Sequence, residues 1–148
     1  MNPRMASLAL ATIGMLAFGS LLAGCAVIDE VAHKRQSATF DTRTALADSG
    51  VDAPWVPGDA GDIRVTRTTQ PDAVDAAVLL TSTQALDPEM CVEVPRQSAP
   101  SYPLEDAPDA YEADTVFACG TWSVIPSADG WFGWTPNNPG EAEQSPAR

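Results

Sequence analysis

An uncharged, mostly apolar run from Ala6 to Leu22 stops at Ala23-Gly24-Cys25, and this stop separates the part of the chain that addresses it from the part that must fold. Arg4 places a small positive charge ahead of the run, the order of a secretory signal. As a permanent membrane helix the run falls short of the usual ~20 apolar residues. It is also weakened by Gly14, Gly19 and Ser20, and followed by Asp29 and Glu30 rather than by a basic flank. Small side chains at Ala23 and Gly24 fit a narrow protease subsite, and a thiol directly after them is placed to accept a diacylglycerol. The sequence therefore predicts a signal peptide over residues 1–24, cleavage between Gly24 and Cys25, and lipidation of Cys25. Acyl chains on that cysteine meet the two-signal requirement for stable anchoring. The predicted mature chain is a lipid-anchored protein on the extracytoplasmic side of the cell membrane, which it does not span.

Lipidation consumes one of three cysteines. Cys91 and Cys119 remain, in an exported chain where oxidation is permitted, and two thiols allow only one intramolecular pairing. No C-x-x-C spacing accompanies them, so nothing points to a redox or metal role. A structural Cys91–Cys119 disulfide is predicted.

All twenty acidic residues and seven of the eight basic ones follow the leader, so the exported part carries a formal net charge of −13, one unit beyond the −12 of the whole chain. Phosphate binding needs a cationic surface, which excludes nucleic acid as a partner. The same charge opposes a chain lying flat on anionic lipid. An acidic surface keeps an exported domain soluble.

Residues 25–53 read as a lipid-anchored tether, with two helical turns over residues 26–35 and a helix-breaking stretch over 50–54. A small domain is predicted over 54–137. In it, Asp62–Thr68 alternates apolar and polar side chains as a half-buried strand does, and Ala76–Ser82 is a second apolar strand. Gln70-Pro71-Asp72 between them makes a hairpin. Leu86–Cys91 reads as a short helix with Asp87 as N-cap and Pro88 at its first position. Four prolines between Pro95 and Pro108 require a loop. Asp109–Asp114 reads as a short helical turn, and Thr115–Ile125 as one long strand with a bulge near Cys119-Gly120. Asp129-Gly130 then turns the chain into a returning strand, Trp131–Trp134. The composition of residues 138–148 predicts a disordered tail. The fold expected is α+β: a small antiparallel sheet of about four strands with short helices and one disulfide.

No catalytic, cofactor or metal constellation emerges, and a non-enzyme is predicted. The single histidine, His33, lies in the tether, away from any pocket that could use it in a triad or as one of several zinc ligands. Carboxylates such as Asp59, Asp62, Glu105, Asp106 and Asp109 read as solvated surface; without ordered spacing they define neither a glycosidase pair nor a calcium loop. Arg96 reads as the partner of an acidic neighbour. Trp131, Phe132 and Trp134 admit two readings. Aromatics on a hairpin can form a ligand platform, yet a domain this small needs large side chains in its core. Adjacent strand residues point to opposite faces, so a platform requires one face of the sheet to be uncovered.

The segments WVPGDAGDIRV (Trp55–Val65) and CGTWSVIPSADGWFGWTPN (Cys119–Asn137) resemble a set of uncharacterised actinobacterial lipoproteins, in which Trp-Val-Pro opens the domain and Gly-Trp-Phe-Gly-Trp-Thr-Pro closes it. The resemblance implies an envelope address and a single-disulfide domain; it brings no activity and no site residue. The functional expectation is a membrane-anchored, non-enzymatic envelope lipoprotein that binds a partner or serves structurally. The alternative is a cell-wall glycan-binding module using Trp131, Phe132 and Trp134.

Overall fold

The computed structural model describes residues 34–147. The leader, Gly24, Cys25 and His33 lie outside the described residues. The body is one antiparallel sheet of seven strands in the order β1-β2-β3-β7-β6-β5-β4. The strands are β1 (Arg35–Phe40), β2 (Gly61–Thr68), β3 (Ala76–Thr81), β4 (Val92–Pro95), β5 (Thr115–Cys119), β6 (Trp122–Ser127) and β7 (Gly130–Thr135). Two meanders, β1–β3 and β4–β7, meet where β3 pairs with β7, from Ala76 opposite Thr135 to Thr81 opposite Gly130. Helix is confined to α1 (Arg43–Asp48), α2 (Pro139–Ala142) and one 3-10 turn, Ala110–Glu112. Among the described residues no helix is long and apolar enough to cross a membrane.

The β2–β3 and β6–β7 hairpins form across the expected turns. The sheet is nonetheless larger than the four strands expected. The apolar run Thr115–Ile125 is two strands rather than one bulged strand. Cys119 pairs with Trp122 across a two-residue turn whose first residue, Gly120, has φ +64°, a backbone that glycine adopts without steric cost. The edge strands β1 and β4 are mostly exposed, so neither carries the buried alternation by which strands are read from sequence. The Leu86–Cys91 helix is reduced to a turn, in which the Asp87 carbonyl accepts from Met90 N at 3.0 Å and from Cys91 N at 2.9 Å.

The tether expected over 25–53 ends, at the latest, before Arg35. Residues 35–40 pair along their whole length with β2. Thr42 caps α1 through its side chain, and Leu46, Val51 and Ala53 are buried. Backbone pairing and a few large side chains hold this polar stretch to the sheet. The tail is likewise folded through residue 147: Asn138 caps α2 in a capping box with Glu141, and Pro139 occupies the first turn.

Apolar side chains fill both faces of the sheet. On one face Ile63, Val65, Val78, Leu80, Trp122 and Val124 lie under Leu46, Val51, Trp55, Val56 and Leu86 from the connecting segments. On the other, Ala77, Leu79, Val116, Ala118, Ile125, Phe132 and Trp134 lie under Leu104, Ala107, Ala110 and Ala113 of the proline-rich loop. The Cys91–Cys119 disulfide, with Cα atoms 4.3 Å apart, ties the segment before β4 to the end of β5.

Candidate functional site

The C-terminal hairpin does not present an aromatic platform. Phe132 and Trp134 are each 1% exposed, in the cluster beneath the proline-rich loop. Trp131 points to the opposite face, edge-on to Phe117 at 5.8 Å between ring centroids, with its indole N–H donated to the Gln84 carbonyl at 3.0 Å. Covering both faces has converted Phe132 and Trp134 into core and left Trp131 half-buried at its margin, so the rings form no common platform.

Four of the charged candidates, Arg96, Asp106, Asp109 and Asp59, are engaged in structure. Arg96 donates to the carbonyls of Ala113 at 2.8 Å and Ser98 at 3.2 Å and lies 5.3 Å from the Tyr111 ring centroid, so backbone and an aromatic face stand where an acidic partner was expected. Asp106 pairs with Arg64 at 3.3 Å on the surface. Asp109 caps the 3-10 turn through the Tyr111 N–H. Asp59 accepts from the hydroxyls of Ser82 and Thr83 and from the Thr83 N–H. These bonds, the Ser82 hydroxyl foremost, hold its pKa below the ordinary carboxylate value. No group of three or more potential metal ligands occurs among the described residues.

One carboxylate is placed in a way the sequence reading missed. Glu141 has no exposed surface, and its oxygens accept from Gln97 N at 2.6 Å, Ser98 N at 3.1 Å, Ser98 Oγ at 2.6 Å, Ser123 Oγ at 3.0 Å and Asn138 N at 2.8 Å. Burial alone raises its pKa; the surrounding donors outweigh burial and bring the net pKa below the ordinary value. Trp134 Nε1 donates to Ser98 Oγ at 2.9 Å, which joins the ring to the same network. The local signal was legible, since Asn138-Pro139-Gly140-Glu141 has the spacing of a capping box. This network holds α2 and the start of the proline-rich loop on the sheet.

A wide concavity lies elsewhere, at the end of the sheet where β2 stops and β3 starts. It is a groove of about 650 Å³, within the ~300–1,000 Å³ range of small-molecule sites. The β2–β3 connection, the residue 50–52 segment and the ends of β6 and β7 enclose it. Arg67 lines it, donating to Ser49 O at 3.2 Å. Trp122 lies in its wall, with Nε1 donating to Asp52 O at 3.0 Å. Thr69 N donates to Lys34 O at 2.8 Å at its rim. Val74, 67% exposed, stands beside it. The lining offers hydroxyls, carboxamides, one guanidinium and the carboxylates of Asp52 and Asp75. Of these, Asp75 accepts from the Ser101 hydroxyl at 2.8 Å.

No protein-family model, curated protein or solved structure matches this chain.

Proposed function

We propose that this chain is a membrane-anchored extracytoplasmic lipoprotein, tethered by a diacylglycerol on Cys25, whose folded domain is a non-enzymatic structural or partner-binding element of the cell envelope. The observation that carries the reading is the Cys91–Cys119 disulfide. Such bonds persist in oxidising compartments outside the cytosol, and this one accounts for both cysteines of the folded body. Cys25, directly after Leu22-Ala23-Gly24, is then the one cysteine left for modification. The strongly acidic chain and the engagement of its candidate polar groups in caps and networks support a binding or structural role over catalysis.

The glycan-binding alternative using Trp131, Phe132 and Trp134 depended on one face of the sheet being uncovered there, and the cover over both faces leaves it without support. Mass spectrometry of the membrane fraction tests the anchored reading. The expected species begins at Cys25, carries the mass of a diacylglyceryl group and retains the disulfide. An intact leader, or a free thiol at Cys25, overturns it. Turnover of an envelope substrate by the purified protein would overturn the non-enzymatic part.

A further inference from the structure

The folded body leaves its anchor at one particular end. Lys34 is the first described residue, and its carbonyl accepts from Thr69 N on the rim of the groove; Gln36, two residues on, lines that groove. Nine backbone steps separate Lys34 from Cys25, a maximum reach of roughly 30 Å. The end of the sheet carrying Thr69, Val74 and Thr135 is therefore the end from which the anchor leaves.

The charges are divided along the same axis. At this end Lys34, Arg35 and Arg67, three of the six basic residues described, stand against Asp48, Asp52, Asp72 and Asp75. The rest of the described surface sets only Arg43, Arg64 and Arg96 against all the other acidic residues, among them Asp59, Asp62, Asp106 and Asp129 around the opposite turns. An anionic leaflet attracts nearby cations and repels acids within a Debye length. Whole-chain charge opposes broad contact with lipid; its distribution favours contact through this end, the least acidic one. Val74, in the loop between β2 and β3, is an exposed apolar side chain at that same end.

Resting on the reading that Cys25 is lipidated, we infer that the domain stands end-on to the membrane, with the groove and Val74 against the bilayer surface and the Ala128-Asp129 turn directed away. The partner is the anionic phospholipid surface itself.

The test uses the full lipidated protein in vesicles of phosphatidylglycerol and phosphatidylcholine, with an environment-sensitive fluorophore on Val74→Cys or, separately, on Ala128→Cys. With Cys25 acylated and Cys91 bonded to Cys119, the introduced cysteine is the only free thiol. Ala128 is exposed in the turn at the opposite end of the sheet. The expected result is a blue shift and strong quenching by brominated lipids for the label at position 74, with neither change at position 128. Equal quenching at both positions, quenching at 128 alone, or quenching at neither overturns the orientation while leaving the anchor intact. A blue shift at 74 that brominated lipid does not quench and that grows with protein density assigns this end to a second copy, and also overturns it. Mass spectrometry of the same preparation separates the two claims, because a chain without lipid on Cys25 removes the anchor and the orientation together.

Discussion

The indole of Trp55 rests on the bare Cα of Gly133: a β-carbon built there would stand 2.5 Å from Trp55 Cζ2 and 3.0 Å from Cη2. Gly133 lies opposite Val78 on β3 and Val124 on β6, so the ring covers the centre of the sheet through the gap that a missing side chain leaves. Trp55 is 3% exposed, and its ring centroid lies 5.8 Å from that of Trp122. Gly133→Ala is expected to destabilise the fold by about 1–3 kcal/mol through overpacking. Trp55→Ala should cost about 3–5 kcal/mol by opening a cavity. Urea unfolding measures both, and in the double variant the two costs should fall short of additive, because the added methyl then enters the space that the indole vacated.

Glu141 should be replaceable by neither an apolar residue nor its own amide. Its carboxylate serves backbone and hydroxyl donors from three segments. Glu141→Gln turns one acceptor into a donor facing other donors, and Glu141→Ala leaves the N–H groups of Gln97, Ser98 and Asn138 without it. Each change is expected to destabilise by about 2–4 kcal/mol, the upper range for hydrogen bonds to a buried charge. The midpoint of chemical denaturation is the readout. A surface control, Glu143→Gln, should fall within about 0.5 kcal/mol of wild type.

The same group determines a pH dependence. The folded-state pKa of Glu141 lies below its ordinary value of 4.5, so the unfolded chain binds the proton first as pH falls. The stability it contributes is complete above the unfolded value and is lost as pH drops through the window beneath it, toward the folded pKa. Asp59, lowered from 3.8 by its Ser82 and Thr83 bonds, acts with the same sign from the surface. Stability measured from pH 6 downward should therefore fall on the acid side, and Glu141→Gln should flatten that limb. A variant with an unchanged acid limb would show that other carboxylates set the slope.

Reduction of the Cys91–Cys119 bond releases a loop with a sequence separation of 28. Chain entropy puts its contribution at about 3–4 kcal/mol. Treatment with a reductant, or the paired substitution Cys91→Ala and Cys119→Ala, should lower the thermal midpoint by a comparable increment in calorimetry. The loop enclosed carries β4 and the proline-rich cover of one sheet face, so hydrogen exchange should accelerate first between residues 92 and 114.

Local physics was legible wherever a side chain repeated with the period of its strand. Ile63 and Val65 announced β2, Asp129-Gly130 announced the last turn, and setting Cys25 aside for the predicted lipidation left Cys91 to pair with Cys119. It failed where pairing comes from elsewhere in the chain. The polar β1 is recruited by the backbone of β2, and Val92–Pro95 is a strand only because β5 lies beside it. The residues of the candidate groove come from segments far apart in sequence, and no local pattern marks them as neighbours.

The proposed export and anchoring rest on a contiguous signal, Ala6 to Cys25, which the chain carries in its own order without needing a fold to assemble it. The choice between ring platform and ring core was of another kind. Alternation placed Trp131 and Phe132 on opposite faces, but whether either face met water depended on the segments around Trp55 and Leu104 closing over the sheet. Burial is a property of what packs on top, and that is decided by contacts between residues that the sequence keeps apart.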